Sequence, residues 1–407
     1  ADSDAVVHTP GVGVDEGTVR VNETLAIRYQ NLGLGASLTL GDAAQGGGDL
    51  LVALGTSFSD LFSVDRVSAA IGRVSLNGQL PIQTDGLEFY TLEGLDGDDR
   101  FALIMPLAAD VTEVNVQGAG PGASDVLEIF GVEGSADAIE VRPGATRTDG
   151  VVDVNGVTVN YTGTEHLQLD GGSDQGDALT VRATSFLGDN LWTVNAGDYG
   201  DRIQIDARES IDFWGFDGVE LINEYGTDLF RVYPTSLNGY VSLTVTGGGT
   251  LVDDELEIIG TGANDTLTST TDTVTVNGRP VTAGLGLVQI QVSTLAGDDN
   301  IDLDLNLAGY RKVVDAGAGN DTVDVSGMQD ATIYGGDGDD NIIGSPLADL
   351  IYGGSGNDVI ASLAGNDTVY GDEGRNRYHG AAAARSGRPP ASRAGSGRSR
   401  DTLCAPA

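Results

Sequence analysis

The chain has 407 residues, with 61 Gly and 61 Asp or Glu against 21 Lys or Arg, and a formal net charge of −40 at pH 7. Such an acidic surface repels phosphate backbones and anionic membranes and favours cations, which argues against nucleic acid as a partner. No apolar run reaches the about 20 residues that span a bilayer, so membrane insertion is not expected, and the single Cys404 leaves no disulfide framework to hold the fold.

The stretch TVRVNETLAIRY followed by SLTLGDAAQGGGD reads as the end of a repeat, and the first residue is Ala1 rather than Met. A fragment or processed chain whose array begins upstream is the expectation. Three segments then align on paired acids, at Asp49 and Asp60, Asp125 and Asp137, and Asp254 and Asp265. Each is followed by an apolar-Asn-Gly turn, at Asn77-Gly78, Asn155-Gly156 and Asn277-Gly278, and 22 residues after each asparagine comes another acidic turn, at Asp99, Asp177 and Asp299. Long units therefore start near 49, 125, 201 and 254. The copy after Asp201 is abbreviated, and is matched through DGVELINEYGTDLFRV.

Within the units, short alternating runs such as VTVNY, HLQLD, DTVTV and VSLTV are separated by Gly, Asn and Asp, which is the signature of strands and turns. No segment before residue 374 shows helical periodicity. The fold class expected is all-β, a parallel β-helix or β-solenoid of degenerate repeats over 1–315 leading into a C-terminal β-roll over 316–379. A string of small β-sandwiches is the alternative, since a unit of this length can close on itself.

Signatures of catalysis are missing. His8, His166 and His379 stand apart, and neither an HExxH helix nor a GxSxG elbow occurs. The many acids supply carboxylate pairs for glycoside chemistry without spacing that singles one out. Trp192 and Trp214 fit either a sugar-stacking platform or the core.

From residue 335 to 379 the sequence becomes strictly periodic, as GGDGDDNII, GSPLADLIY, GGSGNDVIA, SLAGNDTVY and GDEGRNRYH. An acid fills the sixth place as Asp340, Asp349, Asp358 and Asp367, and an apolar residue the eighth as Ile342, Ile351, Ile360, Val369 and Tyr378. Gly335, Gly336, Gly338, Gly353, Gly354, Gly356 and Gly365 let the backbone curl and turn its carbonyls inward. A turn plus a short strand is half a coil, so two blocks make a coil, with Asp340 above Asp358 on one edge and Asp349 above Asp367 on the other. Stacked carboxylates repel unless a hard cation lies among them, and an irregular all-oxygen cage suits calcium better than magnesium.

These blocks resemble the GGxGxDxUx nonapeptide of the RTX, or haemolysin-type, calcium-binding repeat family. The resemblance implies a parallel β-roll with Ca2+ held in its turns, and a bacterial protein exported to the extracellular space or cell surface. Carried over by position, Asp340, Asp358 and Asp367 are the side-chain ligands. Asp349 is a further ligand by position and a weaker match, since Ser345, Pro346 and Leu347 stand where glycines are expected, and the last block has Asn376 at the acid place, flanked by Arg375 and Arg377. Asp321, in AGAGNDTV, adds a candidate because Asp330 and Asp340 follow at nearly the same step. Asp99 and Asp299 share the GxD core and are expected to be structural turns.

The function expected is calcium binding that folds or stabilises an exported repeat protein with a structural or adhesive role, its further partners being cell-surface polysaccharide or other proteins. The alternative is an accessory or export module of a calcium-dependent secreted enzyme. The Ala-, Arg- and Gly-rich tail, 380–407, is expected to be disordered.

Overall fold

The structure, a computed structural model, describes residues 5–11, 17–21, 27–29, 38–41, 48–79, 81–118, 124–173, 176–183, 190–197, 200–206, 210–237, 242–248, 253–303, 311–327, 330–380 and 402–404. Every regular element among them is a β-strand, apart from the short 3-10 turn Pro234–Ser236. No helix among them is long and apolar enough to cross a membrane. The chain divides into two compact units, residues 1–186 with 197–220, and residues 187–196 with 221–407.

In the first unit, strands widely separated in sequence pair in parallel. Leu50–Leu54 pairs with Phe89–Glu93, which pairs with Glu113–Gln117, which pairs with Val157–Thr162. A second parallel series runs Leu61–Arg66, Arg100–Ile104, Val126–Phe130, His166–Asp170 and Ser210–Trp214. Inward residues such as Leu51, Leu92, Val114, Phe101, Leu127 and Leu167 are almost fully buried, which contributes about 1.5–3 kcal/mol each. Alternation along each strand therefore fixes which face points in.

The expectation of a parallel solenoid holds, with one addition. Several coils contain antiparallel excursions, such as Leu61–Arg66 with Ile71–Leu76 and Ile82–Asp85, or Ala138–Pro143 with Gly150–Val154 and Val157–Thr162. In the second unit Thr266–Ser269, Thr273–Val276 and Arg279–Ala283 repeat this arrangement. The three Asn-Gly pairs account for their return. Asn77, Asn155 and Asn277 take φ of 52°, 49° and 49°, a left-handed conformation that Asn tolerates.

Each of these asparagines also carries a fixed pair of bonds. The Asn277 carbonyl accepts the Thr266 N–H at 2.8 Å, and its amide donates to Asp265 at 2.6 Å. Asn77 does the same with Leu61 and Asp60, and Asn155 with Ala138 and Asp137. The N–H groups of Asp60, Asp137 and Asp265 then donate to Asp99, Asp177 and Asp299. The 22-residue spacing in the sequence is this network, built three times.

In the second unit, one parallel series runs through Asp254–Ile259, Leu287–Ser293, Arg311–Asp315, Thr332–Asp337, Leu350–Ser355 and Thr368–Tyr370. The facing series runs Thr266–Ser269, Asn300–Asp302, Thr322–Asp324, Asn341–Ile343, Val359–Leu363 and Arg377–Gly380. Register partners show the coil shortening from Asn300↔Thr322 to Thr322↔Asn341 to Asn341↔Val359, and the last step is the nonapeptide pair. The change near residue 316 is thus one of coil length, with pairing uninterrupted. Ile333, Ile351 and Val369 stack inside from one sheet, and Ile342, Ile360 and Tyr378 from the other. Tyr334, Tyr352 and Tyr370 stack outside with ring centroids 5.0 Å apart.

The expected disordered tail lies outside the described residues except for Gly380 and Thr402–Cys404, which pairs in parallel with Arg377–Gly380. Trp192 is buried against Phe230, with ring centroids 5.1 Å apart, so it is a core residue and no sugar platform.

Replacing Asn277 by Gly keeps the left-handed turn and removes only the side-chain bonds to Thr266 and Asp265. The expected cost is about 1–3 kcal/mol, seen as a lower urea midpoint, and an unchanged midpoint would mean that Asn277 serves only as a turn former.

Candidate metal centre

Topology sorts the candidate residues onto two edges of the second unit. Gly335, Gly336, Gly338 and Asp340 form one turn, and Gly353, Gly354, Gly356 and Asp358 form the next, with Gly336 opposite Gly354. Asp321 closes the turn on the other side of the first of these. Asp349, Gly365 and Asp367 lie on the opposite edge, since their turns join the two sheets in the reverse direction. The stacking expected of Asp340 on Asp358 and of Asp349 on Asp367 is present.

What holds each aspartate is a bond to the neighbouring coil. The Asp321 N–H donates to Asp340 Oδ1 at 2.9 Å, the Asp340 N–H to Asp358 Oδ1 at 3.1 Å, and the Asp358 N–H to Asn376 Oδ1 at 2.9 Å. The same ladder continues upstream through Asp265, Asp299 and Asp321 at 2.7 and 2.8 Å. Each backbone N–H lies at the junction of turn and strand, where the sheet offers no carbonyl, and the carboxylate supplies the missing acceptor.

The second carboxylate oxygen is where the two edges differ. Oδ2 of Asp321, Asp340 and Asp358 is buried without a hydrogen-bond partner. Those of Asp340 and Asp358 lie against the first residue of their own turn: a Cβ on Gly335 would meet Asp340 Oδ2 at 2.5 Å, and one on Gly353 would meet Asp358 Oδ2 at 2.4 Å. In the last turn the equivalent atom is Asn376 Nδ2, and it donates to the Gly371 carbonyl at 2.6 Å. A carboxylate oxygen at that place has no hydrogen to donate, so it requires a proton or a cation. On the opposite edge Asp349 is satisfied by its own turn, through the Ser345 N–H and hydroxyl, both at 2.7 Å. One coil upstream that edge has Ala331, whose N–H donates to Asp349 at 2.9 Å, and one coil beyond that the buried Lys312.

The carbonyls do not all point inward, as the glycine pattern had suggested, but lie along the stack. The Gly317 carbonyl accepts the Asp337 N–H at 2.8 Å, and the Ser355 carbonyl accepts the Gly338 N–H at 2.7 Å. Gly336 and Gly338 take φ of 109° and 132°, and a Cβ on Gly336 would fall 1.7 Å from the Gly317 carbonyl oxygen. Replacing Gly336 by Ala would therefore force adjacent turns apart.

Among the described residues no three Asp, Glu, His or Cys side chains converge as a metal cluster. The donor set on the Asp321 to Asp358 edge is instead pairs of stacked carboxylates with turn carbonyls, a hard oxygen set suited to calcium. Burial pushes Asp340 up to about 7, partly offset by the bond from the Asp321 N–H and reinforced by the charges of Asp358, Asp321 and Asp339. Asp321 and Asp358 rise to about 6, burial again being the main cause.

These shifts set the pH dependence of the metal-free protein. A carboxyl that titrates near 7 in the fold and near 3.8 in its ordinary state takes up its proton in the folded chain first. Stability of the metal-free roll should rise as pH falls from about 7 towards 4, and decline as pH climbs through 7. The urea midpoint of metal-stripped protein is expected to be higher at pH 5 than at pH 8, and the reverse order would contradict the burial of these groups. Gly336→Ala should lower the midpoint at both pH values.

A model of the RTX calcium-binding nonapeptide repeat matches the chain in four copies, over residues 330–351 and 343–378. No curated protein matches the chain. The segment from 330 to 378 is thus an array of RTX calcium-binding repeats, folded as coils of a β-solenoid.

Proposed function

We propose that the turns ending in Asp321, Asp340 and Asp358 bind calcium and that binding closes the C-terminal roll of an exported protein with a structural or adhesive role. The observation that carries this reading is the row of buried Oδ2 atoms without hydrogen-bond partners. A bound calcium ion supplies positive charge and accepts several oxygen ligands at once. Asp321, Asp340 and Asp358 would be its side-chain ligands, with oxygens of the Gly335–Asp340 and Gly353–Asp358 turns beside them. Asp367 and Gly365 form a further turn of the repeat, and Asp349, already satisfied by Ser345, keeps a structural part.

Several features support a site outside the cell. Extracellular calcium modules work at about 10⁻⁴–10⁻³ M, far above cytosolic levels, so weak sites of few carboxylates suffice there. With only Cys404 and no disulfide framework, bound ions take over the stabilising part that cross-links play in other secreted proteins. The formal net charge of −40 favours a cation-rich setting. Cell-surface polysaccharide or a neighbouring protein is the partner class for the adhesive role.

The test is a calcium titration of the metal-stripped chain, followed by far-UV circular dichroism and calorimetry together. A saturable heat with a rise in β-signal is expected, and Asp340→Asn should weaken both. The same β-signal with and without chelator, and no heat at millimolar calcium, would leave these aspartates as turn formers.

A further inference from the structure

We infer that Thr294–Asp299, a turn outside the matched repeats and without their paired glycines, forms an additional calcium site together with the turn 316–321. The inference rests on the calcium reading above and extends it to a residue, Asp299, that the motif does not reach. The sequence of the turn is Thr294-Leu295-Ala296-Gly297-Asp298-Asp299, so Leu295 stands where the repeat has its second glycine.

The backbone nevertheless adopts the repeat conformation. Leu295 and Gly297 take φ of 72° and 125°, matching 94° and 152° at Gly317 and Gly319, 109° and 132° at Gly336 and Gly338, and 103° and 138° at Gly354 and Gly356. A left-handed Leu is costly, and such strain persists only where the surrounding structure imposes it. Here the turn is bonded to the one below it, the Gly297 N–H to the Ala318 carbonyl at 2.8 Å and the Ala318 N–H to the Leu295 carbonyl at 3.0 Å. The Gly297 carbonyl oxygen lies over Gly319, where a Cβ would be 1.7 Å from it. Thr294 adds a bond from its hydroxyl to the Ala316 carbonyl at 2.7 Å.

The carboxylates repeat the pattern of the matched turns. Asp299 and Asp321 are 2% and 1% exposed, the Asp299 N–H donates to Asp321 Oδ1 at 2.8 Å, and Oδ2 of both is buried without a hydrogen-bond partner, the Thr294 hydroxyl that bonds Ala316 also lying near enough to Asp299 to favour its charged form. One coil further upstream the pattern stops. Asp265 has its carboxylate filled by the Thr261 N–H at 2.6 Å, the Thr261 hydroxyl at 2.9 Å and the Asn277 amide at 2.6 Å. Within the second unit Asp299 is therefore the upstream end of the row of partnerless oxygens, a feature that Asp99 and Asp125 share in the first unit, and with Asp321 and the turn carbonyls it gives an all-oxygen set of the kind calcium takes.

The full chain and its Asp299→Asn variant decide the matter by the number of calcium ions bound per chain, measured by equilibrium dialysis. Asparagine keeps the ladder bond, because Asn376 accepts the Asp358 N–H in the same way, and its amide gains a carbonyl to bond as Asn376 does. The variant is expected to fold and to bind one ion fewer than wild type, whereas Asp265→Asn should lose stability without losing an ion. Equal ion counts for wild type and Asp299→Asn would overturn the inference while leaving the matched repeats as calcium sites. No calcium binding by wild type would overturn both readings. A measurement independent of any variant is amide exchange in wild-type protein: calcium is expected to slow Gly297, Ala318 and Asp321, and slowing confined to residues 335–358 would also overturn the inference.

Discussion

The coil stack depends on a buried carboxylate that accepts a backbone N–H from the neighbouring coil. Parallel strands leave the first N–H of each coil without a carbonyl, and an unsatisfied buried donor costs about 1–3 kcal/mol. Asp299, Asp321, Asp340 and Asp358 each answer that need with one oxygen. The other oxygen is then carried into the interior whether or not anything is there to meet it. In the proposed calcium reading, fold and cation affinity follow from one residue choice: Asn376 serves the ladder equally well but finishes its own valences.

This arrangement explains why the two edges differ despite similar sequence. On the Asp340 edge the second and fourth turn residues are left-handed, and no backbone donor reaches Oδ2. On the other edge the Asp367 turn keeps this conformation, with Leu363 and Gly365 at φ of 60° and 141°, whereas in the Asp349 turn Ser345 sets its own N–H and hydroxyl on the carboxylate. Further upstream the ladder places on that edge are Ala331 and Lys312, and the nearby Asp330 is paired with Lys312 at 3.6 Å, so the row of ladder carboxylates is broken there.

A second, exposed ladder keeps the charge of the Asp340 edge in check. Asp298 accepts from the Asn320 N–H at 2.8 Å, Asn320 from the Asp339 N–H at 3.0 Å, and Asp339 from the Asn357 N–H at 2.7 Å. Asn and Asp alternate, so like charges are two coils apart rather than one. Strand spacing of about 4.8 Å makes that alternation worthwhile, since carboxylates stacked directly would repel. The Arg375 N–H on Asn357, at 3.1 Å, ends the series.

Much of this was legible in the residues alone. The nonapeptides announce their period because each place has one chemical duty, and the coil of two blocks, the stacking of Asp340 on Asp358 and the all-β solenoid follow from it. The constant spacing from Asn77, Asn155 and Asn277 to the next acid identified a repeated unit, though not that an antiparallel hairpin lay inside it. What the residues alone could not decide is which oxygens are left without partners. Asp349 and Asp358 occupy the same place in their blocks, yet only the folded turn shows that Ser345 satisfies one and that nothing satisfies the other. Leu295 likewise reads as an ordinary apolar residue, and it takes a glycine's conformation only because the turn below it dictates the path of the chain. Local chemistry determined the period and the residue types; the direction of each N–H and carboxylate depends on the neighbouring coil, which only the tertiary structure supplies.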